Sequence, residues 1–292
     1  MSADCSSLPL AAPRWPLMTR LRRRLPRLHH PHGFYLLCLA VLCERWAALI
    51  LSSSVVLMLG ERYGYPRGDA LRLAGLFNAA SYLATLPGGL AVDHALGSRR
   101  SLGVGMALLT LGYATLILST RDALWLALAL LLLGHSLFKP STQTVMVRLY
   151  EPHDRRFEAA QIACYLAINV GGTAGSLSAG LLVRGSDFRA AFLFAAAVLF
   201  AGCVLVFIGK SELQLRSKPP TITVAAGPIQ KTLSPRYRAK IIVALTLAMM
   251  MYTISFGQVE GSLLLWAQDR TDRVLLGFTI PAAWFVGLPS LL

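Results

Sequence analysis

Four charged residues lie well within long apolar runs of this 292-residue chain, away from the ends of the runs: Glu44 and Arg45 in the first run, Lys139 in the fourth and Glu260 in the seventh. A charge at the centre of a membrane span costs about 2.5–3.5 kcal/mol on insertion scales, so such residues usually face a polar pathway between helices. Carboxylates can carry protons, and Arg and Lys can hold an anionic group. A buried lysine in such a pathway suits an anionic group or a moving proton. Glu44 and Arg45 are adjacent, so on a helix they point about 100° apart. They need separate partners or one shared polar cavity; the simpler reading is a local ion pair that only fixes packing. Lys139 precedes Pro140, which has no N–H to give the Ser136 carbonyl and clashes with it, so a bend is expected beside the lysine. A carbonyl freed there would lie near the ammonium group. His135 reads as hydrogen-bonded packing. Tyr165 and Asn169 are one turn apart and share a face. Asn169 is either a ligand-binding amide or glue between helices.

Seven spans must position these residues: Gly33–Leu59, Ala70–Val92, Ser101–Thr120, Ala123–Val147, Phe157–Val183, Phe188–Gly209 and Ala239–Trp266. A helix of 20–28 residues is roughly 30–40 Å long, enough for a hydrocarbon core. A last apolar stretch, Leu275–Leu292, reads as the start of an eighth helix. The fold class is therefore all-α and multi-spanning. Residues 1–32 form a basic tail, 33–209 a six-helix bundle, 210–238 a polar linker rich in Pro, and 239–292 an incomplete second bundle. Eighteen of the 28 Lys and Arg fall in segments 1–32, 93–100, 148–156 and 210–240. Eight fall in the alternate segments. That bias puts the N-terminus in the cytoplasm.

Composition agrees. The chain is 55% hydrophobic and 14% charged, against about 25% charged for soluble domains. A net charge of +14 would suit nucleic acid, but the basic residues sit between spans, where they orient the protein, and no nucleic acid is expected. The apolar stretch after the basic tail is too long for a signal-peptide core. The five cysteines show no metal-ligand spacing. No metal or cofactor is expected. No nucleophile–base pattern supports an enzyme.

The loop after the second span, Pro87-Gly88-Gly89-Leu90-Ala91-Val92-Asp93-His94-Ala95-Leu96-Gly97-Ser98-Arg99-Arg100, has the major facilitator pattern of small residues, a helix-end Asp, a Gly turn and paired arginines. With Glu44-Arg45-Trp46, Tyr82, Lys139-Pro140, Tyr165 to Asn169 and Phe256-Gly257-Gln258-Val259-Glu260, it resembles the proton-dependent oligopeptide transporter family of the Major Facilitator Superfamily. The resemblance runs from residue 30 to the end. It implies two six-helix halves that rock about a central site, in a bacterial inner membrane. It implies secondary transport of di- or tripeptides with protons. Arg45 and Lys139 would then contact the peptide carboxylate. Tyr82, Tyr165, Asn169 and Gln258 would complete the substrate site, and Glu44 would couple protons. Asp93, Gly97, Arg99 and Arg100 would form a gating loop.

Departures from the family pattern matter as much. Val41 stands where the first glutamate of the helix 1 motif is expected, Ala48 and Leu49 replace paired tyrosines, and Ser52 replaces an arginine. Gly257 stands where a glutamate commonly pairs with the lysine of the fourth span. Glu260, three residues on and on roughly the same face, is expected to take over that coupling role. The simpler alternative leaves it unpaired near the outer interface. These losses and the short second half imply a transporter incomplete or altered in coupling, with a second chain as the partner that would complete it. The alternative is a non-transporting remnant or regulatory subunit.

Overall fold

The computed structural model describes residues 30–151, 154, 156–183, 186–213, 235–275 and 277–288. The basic tail before residue 30 and residues 214–234 of the expected linker lie outside the described residues.

The first span is α1 (His32–Ser52) followed by α2 (Val55–Glu61). It is not continuous as expected, because the Ser53 and Ser54 hydroxyls donate to the carbonyls of Leu49 and Ile50 in the preceding turn. Such back-bonding competes with the helix ladder and bends helices. The second span is α3 (Arg67–Leu83), α4 (Thr85–Ala91) and a π-helical turn at Val92–Leu96. The remaining spans of the bundle are α5 (Ser98–Leu116), α6 (Arg121–Leu149), α7 (Arg156–Leu182) and α8 (Arg189–Ile208). The seventh span is α9 (Pro235–Gln258), a π turn at Val259–Leu263 and α10 (Leu264–Arg270).

Five of these segments are long and apolar enough to cross a membrane: His32–Glu61, Arg121–Leu149, Arg156–Leu182, Arg189–Ile208 and Ala239–Arg270. The second expected span is divided at Ala84, and the third opens on Ser98-Arg99-Arg100-Ser101. Both are helical but fall short of that standard. The stretch expected to start an eighth helix begins differently. Val274–Leu275 (β1) pairs antiparallel with Phe278–Thr279 (β2), in register Val274↔Thr279. The turn needs Gly277 at φ 82°, a conformation that costs a residue with a Cβ. Helix resumes only at α11 (Ala283–Gly287).

In the bundle, α1 packs against α7 and α8, α5 against α6 and α8, and α4 against α6. One core holds them together, with Leu37, Ile50, Leu102, Leu109, Tyr113, Leu124, Phe138 and Phe192 almost completely buried. Where α1, α6 and α7 begin or end together, Tyr150 stacks edge-on with Phe34 and Phe157. Burial pushes the Tyr150 phenol up. α1 and α7 approach closely. A Cβ at Gly171 would lie 2.5 Å from the Leu42 carbonyl oxygen and 3.0 Å from the Arg45 Cβ. In a bilayer, where small residues let backbones meet, this contact supplies much of the packing. Gly171→Ala is therefore expected to destabilise the protein by about 1–3 kcal/mol through overpacking. Thermal unfolding in detergent checks this, and a variant that melts with the parent would contradict it.

Candidate functional site

The site begins with what fixes the rotation of α1. The Trp46 indole N–H donates to Ser178 Oγ of α7 at 3.0 Å. Its ring packs on Phe194 of α8, with centroids 5.8 Å apart. On another side the buried Tyr113 hydroxyl of α5 donates to the Ala47 carbonyl at 2.9 Å. Held on three sides, α1 turns Glu44 inward, where it is 3% exposed.

Glu44 is then met by two groups. Arg45 Nε donates to its Oε2 at 3.2 Å, and His135 Nδ1 of α6 lies 3.3 Å from its Oε1. The adjacent opposite charges thus pair with each other, and Glu44 also meets His135 across the helices. His135, read from sequence as packing, belongs to the cluster. It stands one turn before Lys139, on the same face, and that spacing was the signal for it.

Lys139 Nζ sits over the Tyr82 ring of α3, 4.3 Å from its centroid, a distance suited to a cation–π contact. The Ser136 carbonyl loses its helix N–H partner at Pro140. It is pressed against Gly88 of α4, so closely that a side chain at Gly88 would collide with it. α6 runs unbroken through Pro140 from Arg121 to Leu149. The Ser136 carbonyl lies in a helix contact there.

Glu260 lies in the π turn of the seventh span, half-buried. Its hydrogen-bond neighbour is Ser52 at the end of α1, and the charges of Arg45 and Lys139 reach it. Such π turns often occur at functional sites, because they re-aim a side chain within a helix. The other expected substrate residues are gathered less closely. Asn169 is half-buried, Tyr165 is 64% exposed, and the Gln258 side chain accepts from Ser262 Oγ within its own span at 2.8 Å. A Cβ at Gly257 would meet nothing within 4 Å.

In the loop expected to gate, Gly97 takes φ 75° and opens α5. Its N–H closes the π turn on the Val92 carbonyl at 3.0 Å. Asp93, Arg99 and Arg100 are exposed. At the opposite end of the bundle, Arg67 at the start of α3 forks onto Asp269 at the end of α10, with Nη2 3.2 Å from Oδ1. This pair and the Ser52–Glu260 contact join the bundle to the seventh span.

The Major Facilitator Superfamily profile matches residues 37–292. The peptide transporter YePEPT of Yersinia enterocolitica is 24% identical, over 90% of this chain and 65% of that protein. Dipeptide and tripeptide permease A of Escherichia coli is 27% identical, over 65% of this chain and 38% of its own length. Among solved structures, a peptide transporter POT in complex with sulfate superposes with a TM-score of 0.73 at 20% identity, covering 90% of this chain and 66% of that one. A POT family transporter in complex with 5-aminolevulinic acid gives 0.73 at 18% identity, covering 90% and 67%. The chain spans a little under two thirds of the Yersinia protein. It belongs to the Major Facilitator Superfamily. The relatives named above are a peptide transporter and a dipeptide and tripeptide permease of the kind its motifs resemble. The chain is a multi-pass membrane protein.

Proposed function

We propose that the chain carries small peptides across a bacterial inner membrane with protons, its N-terminus cytoplasmic, with a coupling route altered from the family pattern. Arg45 and Lys139 hold the peptide carboxylate, and Tyr82 lines the same space. Tyr165, Asn169 and Gln258 complete the substrate site as the other half-site moves. Glu44 and Glu260 carry the protons. The observation that carries this reading is the position of Glu260. It lies half-buried in the π turn of the seventh span, within electrostatic reach of Arg45 and Lys139 of the bundle. A carboxylate that alternates between a proton and a cationic partner links protonation to the rocking of two halves. On this reading Glu260, one turn from Gly257, takes the place of the carboxylate missing there, and Val41 has no such replacement. Transport rather than a remnant is supported by the relatives, whose names describe peptide transporters and permeases.

The test is uptake of labelled dialanine into proteoliposomes under an inward proton gradient. Saturable accumulation that collapses with a protonophore is expected. Glu260→Gln is expected to keep peptide exchange across the membrane and to lose accumulation. Absence of any exchange by the parent protein would reject peptide transport. Full accumulation by E260Q would reject only the coupling role.

A further inference from the structure

At the end of the bundle predicted to be cytoplasmic, away from the charged cluster, lies a cavity of about 470 Å³. Its wall carries Arg99 and Arg100 at the start of α5, Arg148 near the end of α6, and Phe207 at the end of α8, with Ser98 and Gly103 beneath. Among the described residues none of the three arginines has a carboxylate partner. The Arg148 Nε is buried and makes no hydrogen bond, and the Ser98 hydroxyl, on a residue 2% exposed, makes none either. A buried donor left unmade is costly, so both are poised for an acceptor that enters the cavity. The first turn of α5 adds backbone N–H groups with no side-chain cap, and a helix N-terminus favours negative charge. Three cations, a hydroxyl and a helix start around one cavity define an anion site shaped for a tetrahedral oxyanion.

We propose that this cavity holds the phosphate of an anionic phospholipid headgroup. The lipid source, rather than free phosphate, follows from the apolar side of the cavity. Phe207 rests on Gly103, where a Cβ would lie 3.2 Å from its ring. Phe207 and the neighbouring Ile208 are 53% and 74% exposed, on a span that is apolar enough to sit in hydrocarbon. An acyl chain can lie along that face while the headgroup reaches the arginines. Basic pockets between spans on the cytoplasmic side bind such headgroups. The proposal does not depend on what the protein transports.

The experiment is native mass spectrometry of the full chain released from detergent and titrated with phosphatidylglycerol or phosphatidylcholine. The parent is expected to retain phosphatidylglycerol selectively. Arg148→Gln is expected to weaken that retention about fivefold, and the R99Q/R100Q/R148Q variant to lose the preference. Arg72→Gln, which removes one charge from an exposed pair at the other end, is expected to behave as the parent. Inorganic phosphate in excess is expected not to displace the lipid. Equal retention by parent and triple variant overturns the site. Displacement by inorganic phosphate overturns the lipid as its occupant. If R148Q does not fold, R99Q/R100Q, both on exposed side chains, gives the same reading.

Discussion

Replacing Glu44 with Ala is expected to cost the protein about 3–5 kcal/mol of stability, the usual penalty for breaking a buried charge pair from one side. Arg45, only 28% exposed at its side chain, would lose its carboxylate, and His135 would face an apolar gap. The pair itself adds little over an apolar core; the loss comes from stranding the remaining charge. Glu44→Gln should fall between the parent and E44A, because an amide oxygen still accepts from Arg45 Nε. Thermal unfolding in detergent, followed by tryptophan fluorescence, measures both. An unchanged melting temperature for E44A would show that Arg45 finds another anion or water and that the pair is not structural.

Lys139→Ala is expected to lower the initial rate of dipeptide exchange roughly 10-fold to 100-fold, from the loss of a charged hydrogen bond of about 1.5–3 kcal/mol to the substrate. Stability should change much less. Lys139 is half-buried and rests on the Tyr82 ring, and among the described residues it makes no ion pair whose loss would strand a charge. That contrast with E44A separates a substrate contact from a packing element. The measurement is counterflow of labelled dialanine in proteoliposomes without a proton gradient, together with melting temperature. Exchange within a factor of two or so of the parent would remove Lys139 from the proposed carboxylate site.

The apolar runs made the spans legible, because hydrocarbon demands length and composition that few soluble segments satisfy. The charges inside them include Glu44 and Arg45, which pair in the bundle interior. What stayed hidden depends on local backbone detail. The π turn at Val259–Leu263 inserts no marker residue, yet it decides where Glu260 points. The hairpin at Val274–Thr279 is as apolar as a span, and periodicity alone does not separate short strands from helix; Gly277 was the available signal. The Ser53 and Ser54 hydroxyls break the first span through bonds to carbonyls, which hydropathy does not register. His135 was weighed singly and so lost its relation to Lys139. The contact of the Ser136 carbonyl with Gly88 joins two spans, and hydropathy does not register such a contact.

The two positions where family carboxylates are missing differ in what surrounds them. Val41 is 6% exposed and belongs to the apolar core, whereas Gly257 opens onto free space. Every glycine codon is a single base from one for aspartate or glutamate. Reversion at Gly257 is therefore within reach of ordinary mutation and meets no steric barrier. Reversion at Val41 would bury a new acid among hydrocarbon side chains. Selection for stronger proton coupling in a growing population should accordingly return acidic variants at codon 257 first, and leave codon 41 unchanged.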